Sequence, residues 1–255
     1  MAIHEAAQQG FSNESSTYQR GRPEYPADLL GWLDRDLGVR ADAEVVDLGA
    51  GTGKFTRLLA RLGASVTAIE PVDAMRDRLV QAVSDVRALP GSAENIPLDD
   101  ASVDVVVCAQ AFHWFANQAT LSEIHRVLRP GGRLGLIWNV RDETVDWVAA
   151  ITGIITPYEG DAPRHYTGRW RQPFEGQHLF TPLQRTMFAH SHVGGFDQVV
   201  IDRFMSVSFI AALPDEKKRA VEARLREQRD VFPELRQETI AFPYQTEAWL
   251  SERIG

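Results

Sequence analysis

The sequence predicts an α/β fold: a doubly wound, mainly parallel seven-stranded sheet with helices on both faces and a C-terminal substrate-covering elaboration. Three observations carry this. Short apolar runs alternate with segments of helical spacing between residues 27 and 139, the pattern of strand–helix–strand units. A glycine-rich turn follows the first of those runs. The composition, 44% hydrophobic and 24% charged over 255 residues, is that of a folded globular chain.

The elements follow in order. Residues 1–26 are polar and end in YQRGRPEYP, where Pro23 and Pro26 forbid a continuous helix. A helix is expected over 27–37, with Leu30, Leu33 and Leu37 on one face. VVDLG (45–49) is a short apolar run stopped by glycine, as in a strand buried on both faces. Phe55, Leu58, Leu59 and Leu62 repeat at helical spacing. SVTAIE (65–70) is a second strand, with a helix through Arg78 to Ala82 after it, and VRALPG (86–91) a third, weaker strand. VDVVVCA (103–109) is the clearest strand. A helix over 117–128 stops at the breakers Arg129-Pro130-Gly131-Gly132, and RLGLIWN (133–139) is the fifth strand. Beyond 140 the alternation loosens. Helices are expected around Val148–Tyr158, 197–212 and 215–230, a loop over 159–182, and strands at 183–191 and 238–246.

Charge and composition exclude several functions. Thirty-five acidic against 27 basic residues give a net charge of -8, which opposes sequence-independent wrapping of nucleic acid. The single Cys108 excludes an intrachain disulfide and a thiolate zinc site. No glutamate or third histidine accompanies His190 and His192, so no metal is expected. The first ten residues lack a basic or apolar leader, and no run of 18 apolar residues occurs. A cytoplasmic protein without a membrane partner is expected, as a monomer or homodimer.

The strongest motif is VVDLGAGTGKF (45–55), a strand, a glycine turn and a helix start. Glycines permit the sharp turn and close approach of a ligand, and the helix N-terminus offers unpaired N–H groups. Two phosphate-binding readings fail on identity. The dinucleotide pattern needs a third glycine where Lys54 stands, and the phosphate loop needs glycine at Leu48 and Ser or Thr at Phe55. Asp47 before the turn would repel a pyrophosphate and suits an amine or sulfonium. Glu70, ending the second strand, can accept from ribose hydroxyls. The pattern wants an adenosine-like ribose without a pyrophosphate.

With these residues the sequence resembles the class I S-adenosylmethionine-dependent methyltransferases, which have a Rossmann-like sheet. The resemblance runs through VVDLGAGTGKF, Glu70, GSAENIPL (91–98), VDVVVCAQAFHWF (103–115) and LRPGG (128–132), covering 45–139. YQRGRPEYP and FHWF look most like the small-molecule branch that includes trans-aconitate methyltransferases.

The resemblance implies S-adenosylmethionine as cofactor and assigns roles. Gly49, Gly51 and Gly53 would pack against its methionine part, Ala50 would be among the cofactor-binding residues, and Asp47 would fix the loop. Glu70 would hold the ribose. Ser92, Ala93 and Glu94 would meet the adenine, although the family often has Asp where Ser92 stands. Gln110 lies where the family meets the methionine moiety, and Trp114 would wall the adenine or the sulfonium. Tyr18 and Arg22 would fold over the cofactor, Arg22 pairing with its carboxylate. His113 is the candidate catalytic base or substrate-orienting group. Three regions are expected: an arm over the cofactor (1–26), a cofactor-binding core (27–139), and completion of the sheet with acceptor-covering helices (140–255), all in a single compact unit.

The expected function is methyl transfer to a small-molecule acceptor by in-line displacement, mainly through proximity and orientation. Arg164, Arg169 and Arg171 interleave with Tyr166 and Trp170, which suits an anionic or aromatic acceptor. The alternatives are methylation of RNA or protein, a non-catalytic cofactor-binding module and, disfavoured by Lys54, a dehydrogenase.

Overall fold

The computed structural model describes residues 21–255, which divide into two compact units. The larger comprises residues 26–138, 163–188 and 247–255; the smaller comprises 139–162, 189–246 and, of the described N-terminal residues, 21–25.

One seven-stranded sheet has the order β3-β2-β1-β4-β5-β7-β6. Its strands are β1 (Glu44–Leu48), β2 (Ser65–Ile69), β3 (Arg87–Leu89), β4 (Val103–Ala109), β5 (Leu128–Arg141), β6 (Gln184–Gly194) and β7 (Ile240–Glu252). β1 to β5 pair in parallel. β7 runs against β5: the Asp142 N–H donates to the Pro243 carbonyl and the Arg253 N–H to that of Gly132. This is the doubly wound, mainly parallel α/β fold expected from the alternation. Strand order reverses between β1 and β4, and open parallel sheets bind ligands at the carboxyl ends of the strands flanking such a reversal.

In the larger unit α1 (Asp28–Arg35) buries Leu29, Trp32 and Leu33; of the expected face Leu33 and Leu37 are buried, whereas Leu30 is only partly so. α2 (Lys54–Ala60) starts directly after the glycine loop, α3 (Asp73–Ala82) follows β2, and α4 (Gln118–Val127) follows β4. α4 has a side-chain cap, since Asn117 Oδ1 accepts from the Thr120 N–H at 2.8 Å. The breaker cluster at 129–132 lies inside β5 rather than before it. The register jumps from Val103 opposite Leu128 to Val105 opposite Arg133, so the breakers are an irregularity in the strand.

The smaller unit holds α5 (Asp146–Ile155), a π-helical turn (Asp197–Asp202) leading into α6 (Arg203–Met205), α7 (Ser208–Ala211) and α8 (Asp215–Val231). Its core includes Trp147, Ile151, Phe204, Phe242 and Tyr244. α8 buries only Val221 and Leu225, in keeping with its charge. β7 runs beyond the expected 238–246 to Glu252, and Pro243 is tolerated inside it through its carbonyl. Among the described residues, no helix is long and apolar enough to cross a membrane.

Candidate functional site

The glycine loop, residues 49–53, leaves the carboxyl end of β1. Gly49, Gly51 and Gly53 all have positive φ (75°, 58° and 83°), where a side chain is strained. Their surroundings differ. A Cβ on Gly49 would come within 2.9 Å of the Ala111 Cβ, and one on Gly53 within 2.9 Å of Leu79 Cγ, on α3. At Gly51 a Cβ would meet nothing within 4 Å. Two of the three glycines are therefore required by packing inside the protein, and only Gly51 borders open space.

The loop's N–H groups are largely spent. Those of Gly49 and Ala50 donate to the Ile69 carbonyl at 2.9 and 3.2 Å, and that of Gly53 to the Ala50 carbonyl at 3.1 Å. The Gly51 N–H donates to Glu70 Oε2 at 2.9 Å. A phosphate cradle needs several free N–H groups pointing at the anion. Here four are committed internally, which agrees with the failure of both phosphate motifs.

Asp47 is 1% exposed, and its Oδ2 accepts from the Thr56 hydroxyl at 2.6 Å, tying the end of β1 to α2. Its Oδ1 is buried with no hydrogen-bond partner. Burial pushes its carboxyl up to about 7; the Thr56 bond opposes this and the Glu70 charge adds to it. Glu70 is 5% exposed and braces two segments, Oε2 taking the Gly51 N–H and Oε1 that of Val72 at 2.9 Å. Burial raises its carboxyl as well; the bonds from Val72 and Gly51 and the charge of Arg76 work against that rise.

The other expected positions gather around this loop. Gly91 packs against Ile69 and Pro97, which sets the turn Ser92–Asn95 beside the end of β2. Ala93 is buried in that turn, and Glu94 Oε1 accepts from Asn117 Nδ2 at 2.6 Å, linking the turn to the cap of α4. Gln110, just beyond β4, has φ +59°, sparsely populated for a non-glycine residue, and its N–H donates to the Ile137 carbonyl. Ala111 then fits the space left by Gly49.

His113 and Trp114 lie in a short 3-10 turn, Phe112–Trp114. The Trp138 indole N–H donates to His113 Nδ1 at 3.1 Å. An indole N–H can only donate, so Nδ1 is an acceptor and the neutral ring carries its proton on Nε2. Trp138 in turn packs 4.6 Å from both His165 and Trp170, and the Arg171 guanidinium lies 4.7 and 4.8 Å from the ring centres of Trp170 and Trp249. Trp170 is 2% exposed, so it belongs to the wall of the larger unit, while Tyr166 is 65% exposed.

Arg22 belongs to the smaller unit, where its Nη2 donates to the Ser206 carbonyl at 3.3 Å. Tyr18 lies outside the described residues. The sequence reading missed Thr56, Asn117 and Trp138. Asn117 ahead of an apolar helix is a readable cap signal, whereas nothing local connects Trp138 with His113 or Thr56 with Asp47.

Comparison with known proteins agrees with this geometry. The family described as methyltransferase domain matches residues 46–136. An uncharacterised methyltransferase-like protein of Schizosaccharomyces pombe is 38% identical over 245 residues, covering 95% of each chain. A putative methyltransferase from an antibiotic biosynthesis pathway of Anabaena variabilis has a similar fold, with TM-score 0.59 and 19% identity, covering 92% of this chain and 99% of that one. A Haemonchus contortus phosphoethanolamine N-methyltransferase, solved with S-adenosylhomocysteine, has TM-score 0.54 and 11% identity, covering 98% of this chain and 57% of that one. The glycine loop, the acidic end of β2 and a full-length relative together place the chain in its family: it belongs to the class I S-adenosylmethionine-dependent methyltransferases.

Proposed function

We propose that the chain is a cytoplasmic enzyme that transfers the methyl group of S-adenosylmethionine to a small-molecule acceptor. The observation that carries this reading is the glycine loop, whose N–H groups are committed internally while Gly51 borders open space. Such a loop suits a ligand part that packs against backbone, and it does not suit a pyrophosphate. The S-adenosylhomocysteine held by a structural neighbour supports the same cofactor.

The residues fit that group. Asp47 Oδ1, buried and lacking a hydrogen bond, is an acceptor for a donor of the ligand or a bridging water. Each Glu70 oxygen has one backbone bond and a second lone pair, so the carboxylate accepts ribose hydroxyls while still bracing the loop. Ser92, Ala93 and Glu94 line the adenine end, with Gln110 and Trp114 on the other flank.

When bound, the cofactor supplies a methyl group on a sulfonium, already activated for displacement. The protein's task is alignment and exclusion of water, which can lower a barrier by about 7–11 kcal/mol. His113 presents an N–H on Nε2, because Nδ1 holds the Trp138 bond; this suits orienting an acceptor oxygen better than removing its proton. The acceptor is an anionic or aromatic small molecule.

Calorimetric titration with S-adenosylmethionine tests the reading, with NADH for comparison and Glu70→Ala as control. Binding of the methyl donor that is lost in the variant is expected. Binding of NADH instead would overturn it.

A further inference from the structure

We propose that the smaller unit carries an oxyanion-binding site centred on Arg203, which takes a carboxylate or phosphate group of a small molecule. The inference stands on this unit alone and not on the methyl-transfer reading.

Arg203, the first residue of α6, is 7% exposed. A guanidinium carries five N–H groups and keeps its charge at any physiological pH. Taken out of water, such a group is normally paired with a carboxylate and hydrogen-bonded throughout. Arg203 is not. Its Nε–H donates to the Tyr244 hydroxyl at 2.9 Å, and its Nη1 is buried with no hydrogen-bond partner. No carboxylate of the described residues forms an ion pair with it. The fold thus holds a buried cation in fixed orientation and leaves one of its donor groups unused.

Two further arginines anchor on the same turn. The Arg141 guanidinium lies 5.0 Å from the Phe204 ring centre, and Arg22 Nη2 donates to the Ser206 carbonyl at 3.3 Å. Arg141 and Tyr244 belong to the paired strands β5 and β7, beside the Asp142–Pro243 bond. Residues 203, 204 and 206 of one turn are therefore each associated with a guanidinium, in a chain whose net charge is -8. Arg141 Nε lies 3.9 Å from Glu143 Oε1. The fixed charge of Arg203, its low water access and its unused planar N–H donor are the features that recognise an oxyanion.

The test uses the full chain and three sodium salts at matched ionic strength: malonate, phosphate and chloride. Calorimetry and thermal melting are read for wild type, Arg203→Met and Arg203→Lys. Saturable binding of malonate or phosphate is expected, with a higher melting temperature than in chloride; the tighter of the two identifies the group. Arg203→Met should weaken binding at least tenfold. Arg203→Lys keeps the charge but loses the fork, and should weaken it at least fivefold. Should Arg203→Met fail to fold, Arg203→Lys and the wild-type titration decide. Binding no stronger than chloride in wild type, or equal in the variants, would overturn the proposal.

Discussion

The Gly51 N–H donates to Glu70 Oε2 at 2.9 Å, so the carboxylate at the end of β2 braces the loop at the end of β1. On the proposed function, recognition and architecture share this one side chain. Glu70→Gln keeps the size but has only one accepting oxygen for the Gly51 and Val72 N–H groups. One buried donor loses its partner, at a cost of about 1–3 kcal/mol. The expected result is a melting temperature lower by several degrees and at least tenfold weaker binding of S-adenosylmethionine. Unchanged melting would contradict the bracing role, and unchanged binding the ribose role.

Asp47 makes stability depend on pH. Its folded value of about 7 lies above its ordinary 3.8, so the folded state binds a proton more tightly than the unfolded chain. That contribution is fully present below about pH 4 and is lost as pH rises through 7. Its full size is at most on the order of 4 kcal/mol. Asp47→Asn removes the titration. Denaturant unfolding should show the variant gaining on wild type steadily between about pH 4 and pH 7 and no further above that, and a constant difference would reject the assignment.

Gly51 and Gly53 should separate by substitution. Gly53→Ala forces a Cβ against Leu79 and strains a φ of +83°, and is expected to destabilise by roughly 2–3 kcal/mol. Gly51→Ala meets no neighbour and carries only the strain of its backbone, about 1 kcal/mol. Its larger effect should fall on cofactor affinity. Thermal melting and calorimetry on the two variants should rank them in opposite orders.

His113 depends on Trp138 for its orientation. His113→Ala should lower kcat at least tenfold, with the affinity for S-adenosylmethionine changed less than twofold. Trp138→Phe keeps the ring packing but removes the indole donor, and should reproduce part of that loss. An unchanged kcat in His113→Ala would remove the residue from the mechanism.

The sheet was readable in the sequence because its signals are local. VVDLG and VDVVVCA are apolar runs of strand length with glycine or small residues at their ends, and the run of strands and helices between them admits few topologies. The glycine loop, Glu70 and Gln110 were legible for the same reason, since each stands at the end of a strand. Contacts that close over long separations were not. Asp47 and Thr56 meet because α2 folds back on β1, and His113 and Trp138 because β4 and β5 are neighbours. The last strand runs on to Glu252, past the expected end at 246, because its far end pairs with β5, where the Arg253 N–H donates to the Gly132 carbonyl. Along the sequence Arg203 is one charge among many; only burial removes its water without giving it a carboxylate. Periodicity and turn chemistry are written along the chain, whereas desolvation and hydrogen-bond satisfaction arise only when distant segments pack together.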